Sequence, residues 1–383
     1  DYGPNGVTIG NGKIYGVTAT GVFALDAKTG KQLWYNTQLA ARKTSFLIAP
    51  QVAGGKVFVS SALTVGGGVV YALSAETGAT IWRFQSVADK IGRQLPVPTG
   101  GAWDAFLIGP DHSVYAGIGN PYLSQQEAQT TTSRELYTDS IVKLNQATGK
   151  LEWYYQAFPD DFHDWDLQIS PIYTTEAGHP VVLAAGKGGF VFAFDPMSGK
   201  LLWKTSVGIH NGHDQDGQLA LEGKLHLTTP YTLYPGIAGG VETNMAAADG
   251  VAYVPVVNWP ATLRTAKARV GTPNLLKATG EMVALSIADG KQLWATNLGR
   301  MPLGGATVSN DLVFTTTMVL AAPLTCDVVA LSRKDGSIVW TAHLPAGCNA
   351  TPAIAGNTLL AGAGLVTKTQ HPVLVAYRLG AKG

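Results

Sequence analysis

The chain has 383 residues, of which only 14% are charged, against a usual figure of about 25%, and its formal net charge is +1. Without a basic run, nothing points to nucleic acid or an anionic membrane surface, and no apolar run approaches the ~18 to 20 residues that span a bilayer. With Gly 46 and Pro 20 and no long helix-period apolar run, the composition predicts many short strands joined by tight turns.

The first predicted unit sets the pattern. Residues 7–16, Val-Thr-Ile-Gly-Asn-Gly-Lys-Ile-Tyr-Gly, form two strands about a Gly-bearing turn. Val22–Trp34 then supplies a third, alternating strand, a polar Thr-Gly turn and a fourth strand ending in Trp. That half returns as Val70–Trp82, Ile141–Trp153, Val191–Trp203, Met282–Trp294 and Val328–Trp340. A seventh copy, Val373–Leu379, lacks the turn and the Trp. One such sheet cannot bury both its faces, but a ring of them can. The prediction is therefore all-β: one β-propeller domain over residues 1–383, built of four-stranded antiparallel blades. Seven repeats are visible, and the blade number is seven or eight. The six repeat Trp residues are expected to fill the space between neighbouring sheets.

Three insertions break the period, at 122–137, 208–240 and 260–279. Long loops in a compact fold are usually functional or disordered. Between the first two lies an unusual concentration of charge: Asp160, Asp161, His163, Asp164, Trp165 and Asp166. Asp160, Asp161 and Asp164 are expected to stabilise the loop or face water. Asp166 has two readings, a turn residue or a general base. The segment from His210 through His213 to Asp216 holds metal-capable side chains at close spacing, or it lines an entrance above the ring. Cys326 and Cys348 are either two core thiols or a disulfide implying an oxidising compartment; no Cys-x-x-Cys is present.

The repeated Ala-x-Thr-Gly-Lys-x-x-Trp unit resembles the tryptophan-docking blades of alcohol dehydrogenases that depend on pyrroloquinoline quinone (PQQ). Non-enzymatic propellers such as the outer-membrane assembly lipoprotein BamB share the repeat. The segments between the repeats are more specific. Gly100-Gly-Ala-Trp-Asp104 resembles the family segment whose Trp floors the quinone, which implies that role for Trp103. Gly117-Ile-Gly-Asn-Pro121 resembles the calcium-ligating segment and implies Asn120 as a ligand. Asp164-Trp-Asp166 resembles the segment whose last Asp is calcium neighbour and catalytic base, implying Asp166 for both. Ala185-Gly-Lys-Gly-Gly-Phe190 resembles the strand whose cation contacts the quinone carbonyls, implying Lys187. Residues 234–240 with Asn244 and Met245 resemble another site-lining segment, and Trp165, lying off the repeat register as Trp103 does, joins the expected cofactor contacts.

The resemblance implies PQQ and Ca²⁺ as cofactors, an alcohol as substrate (small or polymeric), a separate electron acceptor in the absence of a haem domain, and an extracytoplasmic location. Three features depart from the family. Leu63 and Val65 stand where it has a calcium-binding Glu, the adjacent cysteine pair is missing, and Gln168 replaces the extra aspartate of lanthanide-dependent relatives. A second reading is accordingly a non-catalytic propeller that binds protein or polysaccharide with a decayed quinone site.

Overall fold

The computed structural model describes all residues except 1–5, 40–44, 62–66, 88–98, 132, 322, 369 and 381–383. Seven of its sheets follow the repeat. The first is Val7–Gly10, Lys13–Thr18, Gly21–Asp26 and Gln32–Asn36, each strand antiparallel to the last. The third ends with Ser113–Ile118, Ser140–Asn145 and Leu151–Gln156; the fourth runs Ile172–Glu176, His179–Gly186, Phe190–Phe194 and Leu201–Ser206. The last described sheet has three strands, Ala353–Ala355, Thr358–Ala363 and Val373–Arg378. First strands of successive sheets lie against one another, Val7–Gly10 on Gln51–Ala53 and Ala246–Ala248 on Thr307–Ser309 among them. This is the β-propeller expected from the repeat.

The repeat Trp residues do more than fill space. The first five donate their indole N–H to a carbonyl in the next repeat: Trp34 to Ala75, Trp82 to Gln146, Trp153 to Pro196, Trp203 to Ile287 and Trp294 to Arg333, at 2.8–3.2 Å. Each ring also lies flat on the turn glycine of that repeat. A Cβ at Gly78 would sit 2.5 Å from Trp34, and one at Gly290 2.6 Å from Trp203. These glycines adopt φ near 70°, so both the turn and the docked ring require their missing side chain. Trp340 has no such turn to meet, because the seventh copy lacks it; it stays 38% exposed, against 9% for Trp34, and packs edge-on to Tyr377.

Antiparallel alternation decides where the site is built. Turns between third and fourth strands lie at one end of the ring. Connections between second and third strands, and links from one sheet to the next, must leave from the other end. All three insertions are of that second kind, so they meet on one face. Arg269 crosses from the third insertion to donate to the Tyr122 carbonyl (2.7 Å) and pair with Glu127 (2.5 Å). Gln125 donates to the Leu227 carbonyl at 2.8 Å, and Leu123, Ala128, Phe162, Ala220 and Leu225 bury a small apolar core beneath.

Cys326 and Cys348 form a disulfide with sequence separation 22, buried beside Val328 and Leu344. Closing a loop of that length stabilises by roughly 3 kcal/mol in the chain-entropy view. The Cys326→Ser/Cys348→Ser variant should therefore lose about that much in a urea titration, and a loss near zero would show that the bond adds nothing.

Candidate active site

Four side chains expected at the site come from four connections on the insertion face, Trp103 from the link before Leu107–Ile108. Asn120 follows the strand Ser113–Ile118, Asp166 lies in the link before Ile172–Glu176, and Lys187 follows the strand His179–Gly186. Their approach is set by glycines. A Cβ on Gly119 would stand 2.5 Å from Asp166 Oδ1 and 2.8 Å from Trp103 Nε1, so Trp103 and Asp166 flank that glycine from two sides. Gly186 lies directly against the Asp166 carbonyl, which accepts the Lys187 N–H at 3.0 Å.

The Asp166 carboxylate is held on both oxygens. Oδ1 accepts the Asn120 backbone N–H (2.7 Å) and its amide Nδ2 (2.8 Å). Oδ2 pairs with Lys187 Nζ at 2.6 Å, and the same ammonium reaches Asp164 Oδ2 at 3.3 Å. Asn120 Nδ2 also donates to Asp164 Oδ1 (2.5 Å), while its Oδ1 accepts the Tyr122 N–H (2.6 Å). Burial opposes the charge on Lys187, but the Asp166 and Asp164 carboxylates outweigh it and hold its pKa well above that of an ordinary lysine. Burial pushes Asp164 up.

Asp160, Asp161 and Asp164 do not face water: they are 0%, 3% and 8% exposed. Asp161 ties the loop by accepting the N–H groups of His163 (3.0 Å) and Trp165 (2.9 Å). Asp164 joins the Lys187 cluster, a role that the sequence reading did not give it. Asp160 and Asp164 occupy left-handed backbone, φ 58° and 66°, a region that Asp tolerates better than most residues. Trp165 departs from its expected role as a quinone contact. Its ring is 2% exposed, packed on Phe158 and His163, and its N–H goes to the Pro235 carbonyl (3.1 Å). It anchors the aspartate loop in the core.

The histidine segment forms pairs. His210 Nδ1 lies 2.7 Å from Asp214, and His213 Nδ1 lies 2.8 Å from Asp216, which also approaches buried His163 at 3.5 Å. Among the described residues no three His, Cys, Asp or Glu side chains are arranged around a metal position. Leu63 and Val65 lie outside the described residues.

Beside this cluster a cavity of about 440 Å³ opens, lined by Trp103, Asn244, Gln168, Glu242, Asn349 and Thr351 among others. Asn244, expected from the sequence, accepts the Ser170 N–H at 3.3 Å. Glu242 and Asp139 were not foreseen. Glu242 is half-buried; desolvation pushes it up to about 7, and Gln168 donates to it at 3.1 Å. Asp139 is 0% exposed with neither oxygen hydrogen-bonded, and burial with the nearby Asp161 raises its pKa well above the carboxylate range. Asp139 is a rare charge at the edge of an apolar strand, Ser140–Asn145, which was the available signal; Glu242 lies in a loop and gave none.

Burial also raises Asp160 to about 8 and Asp161 to about 6. Such groups bind a proton more tightly folded than unfolded, so stability is highest below the unfolded values near 4 and falls as pH rises through about 6 to 8. We expect the metal-free Tm to drop over that window. A Tm that stays flat or rises between pH 5 and pH 8 would contradict this.

A cavity lined from successive blades of a tryptophan-docked ring, beside a carboxylate–lysine cluster, defines a β-propeller of the quinoprotein type. Comparison with known proteins agrees. The model for the glucose/ethanol/alcohol dehydrogenase β-propeller domain matches residues 40–209, and that for the outer membrane protein assembly factor BamB matches 278–376. Quinohemoprotein alcohol dehydrogenase of Comamonas testosteroni is 30% identical over 299 residues, 67% of this chain and 42% of that protein. Quinohemoprotein alcohol dehydrogenase ADH-IIG of Pseudomonas putida is 29% identical over 268 residues, 59% of this chain and 37% of that protein. The chain thus spans less than half the length of these two relatives. The crystal structure of the Comamonas testosteroni enzyme superposes with a TM-score of 0.81 at 23% identity, covering 100% of this chain and 67% of that one. The chain is a PQQ-dependent alcohol dehydrogenase-like β-propeller.

Proposed function

We propose that this protein oxidises an alcohol by hydride transfer to PQQ, with Asp166 as the general base. The observation that carries the reading is the convergence of Trp103, Asn120, Asp166 and Lys187 from separate connections onto one buried point. The neighbouring cavity fits a planar, polar molecule: about 440 Å³ lies within the usual ~300–1,000 Å³ of small-molecule sites. Trp103 offers it an aromatic wall, and Asn244, Asn349 and Thr351 offer amide and hydroxyl groups. The charge balance fits a divalent cation, since Asp164, Asp166 and Glu242 gather around the single Lys187. Asp166 and Asn120 would hold it, the Asn120 amide turning its Oδ1 from the Tyr122 N–H toward the ion.

When bound, PQQ would supply the two-electron acceptor, and Ca²⁺ would polarise it. The chain's own residues do the rest. The Asn120 donors and Lys187 fix the Asp166 carboxylate, so that it meets the substrate hydroxyl without reorganising. Burial at 1% exposure excludes water from the proton transfer. An ammonium has three donors; Lys187 gives one to Asp164 and lies in an ion pair with Asp166, which leaves it able to reach a quinone oxygen as well. A separate acceptor would take the electrons onward. The disulfide suits an oxidising, extracytoplasmic compartment. No helix among the described residues is long and apolar enough to cross a membrane.

The scaffold reading gains no specific support, because a binding surface has no use for a buried lysine among carboxylates. The test is reconstitution. With PQQ and Ca²⁺, tryptophan fluorescence should be quenched and a dye reduced on adding a primary alcohol, and Trp103→Ala should lose the quenching while keeping its circular dichroism. Absence of quenching in the wild type at millimolar Ca²⁺ would overturn the proposal.

A further inference from the structure

A second pocket, of about 220 Å³, lies on the other side of the aspartate loop and shares no lining residue with the axial cavity. The loop alternates: Asp161, His163 and Trp165 line this pocket, while Asp164 and Asp166 turn to Lys187. Phe158 and Trp165 give it an apolar floor, and Lys204 and Arg134 stand on its walls.

Lys204 is the unusual group. Its ammonium lies 3.7 Å from the ring centroid of Phe190, 5.5 Å from that of Phe192 and 5.8 Å from that of Phe158. Partial removal from water pushes its pKa down. Among the described residues no carboxylate comes within 4 Å of it, and none comes within 4 Å of Arg134. The Arg134 guanidinium instead donates to the Gln156 side chain at 3.2 Å. Two carboxylates do line the pocket; Asp214 partly offsets the desolvation of Lys204 from beyond ion-pair distance, and each is engaged by another group. Asp161 takes two backbone N–H groups, and Asp214 is held by His210 at 2.7 Å. Lys204 and Arg134, both partly exposed to solvent and neither in an ion pair within 4 Å, thus face one concavity with an aromatic floor. Aromatic faces attract an ammonium but do not neutralise it, so an incoming anion completes the site.

We propose that this pocket binds a small organic carboxylate, its anionic end between Lys204 and Arg134 and its apolar body against Phe158 and Trp165. The volume equals about seven waters at ~30 Å³ each, which suits a molecule the size of benzoate. The site is independent of PQQ, so it can be tested without the cofactor.

Benzoate and its neutral isostere benzamide are titrated into the full chain by calorimetry. Benzoate should bind saturably in the millimolar range or tighter, and benzamide at least tenfold more weakly. Lys204→Met and Arg134→Gln should each weaken benzoate at least tenfold, Lys204→Arg should retain it, and Asn244→Ala, in the axial cavity, should leave it unchanged. No saturable binding, equal binding of benzamide, or loss in Asn244→Ala instead of the Lys204 and Arg134 variants would overturn the proposal. Thermal melts of each variant show whether a loss of binding reflects a loss of fold.

Discussion

Asp166→Asn should lower kcat/KM for alcohol oxidation by roughly 10²- to 10⁴-fold, the span that a positioned base contributes. The amide is isosteric and its oxygen can still accept the Asn120 N–H groups, which now reach Oδ1 at 2.7 and 2.8 Å. Lys187 keeps Asp164 as a partner at 3.3 Å, so the fold should persist with some loss of Tm. The loss should fall mainly on kcat, since an interaction made only in the transition state is being removed. The check is steady-state dye reduction in the reconstituted enzyme, beside circular dichroism of the variant. Activity within tenfold of wild type would remove Asp166 from the role of base.

Lys187→Met should have the largest effect on stability. Methionine matches the aliphatic stem but leaves Asp164 and Asp166, both buried, without their only ammonium. Breaking a buried ion pair by deleting one partner costs about 3 to 5 kcal/mol, because the remaining charge is uncompensated. The sign of the pH dependence follows from the same groups. In the wild type the lysine's folded pKa is raised above 10.5, so its contribution is present below that value and lost as pH rises through the folded pKa. In the variant the buried Asp164 carboxyl, already pushed up by desolvation, loses the ammonium that opposes that push, so it binds its proton more tightly folded than unfolded and the deficit should shrink toward pH 5 and widen toward pH 9. Urea titrations at both pH values measure it. A deficit that is the same at both, or below about 1 kcal/mol, would mean that the cluster is not dry.

Most of the ring was legible because one physical unit is repeated. Period-two apolar strands, a Gly at a fixed turn position and a Trp at the strand end specify a sheet that must pack on another like it. The Trp–Gly spacing even encodes the docking of Trp34 on Gly78, though the partner belongs to the next repeat and was not evident from one copy. Spacing alone cannot bring Cys326 to Cys348; the hairpin between them does.

The face on which the insertions gather follows from chain order and antiparallel alternation, both present in the sequence. What the sequence could not rank was burial within the aspartate loop. Asp160, Asp161 and Asp164 belong to a residue type that normally faces water, yet the insertions close over them and all three are enclosed. Trp165 and Trp103 look equivalent as off-register aromatics, but one lies in the core and the other lines the axial cavity. Local pattern determined the strands, because strand and turn preferences act over a few neighbouring residues. Only the tertiary structure decided which charges are dry and which oppose one another, because desolvation and pairing depend on groups brought together from distant parts of the chain.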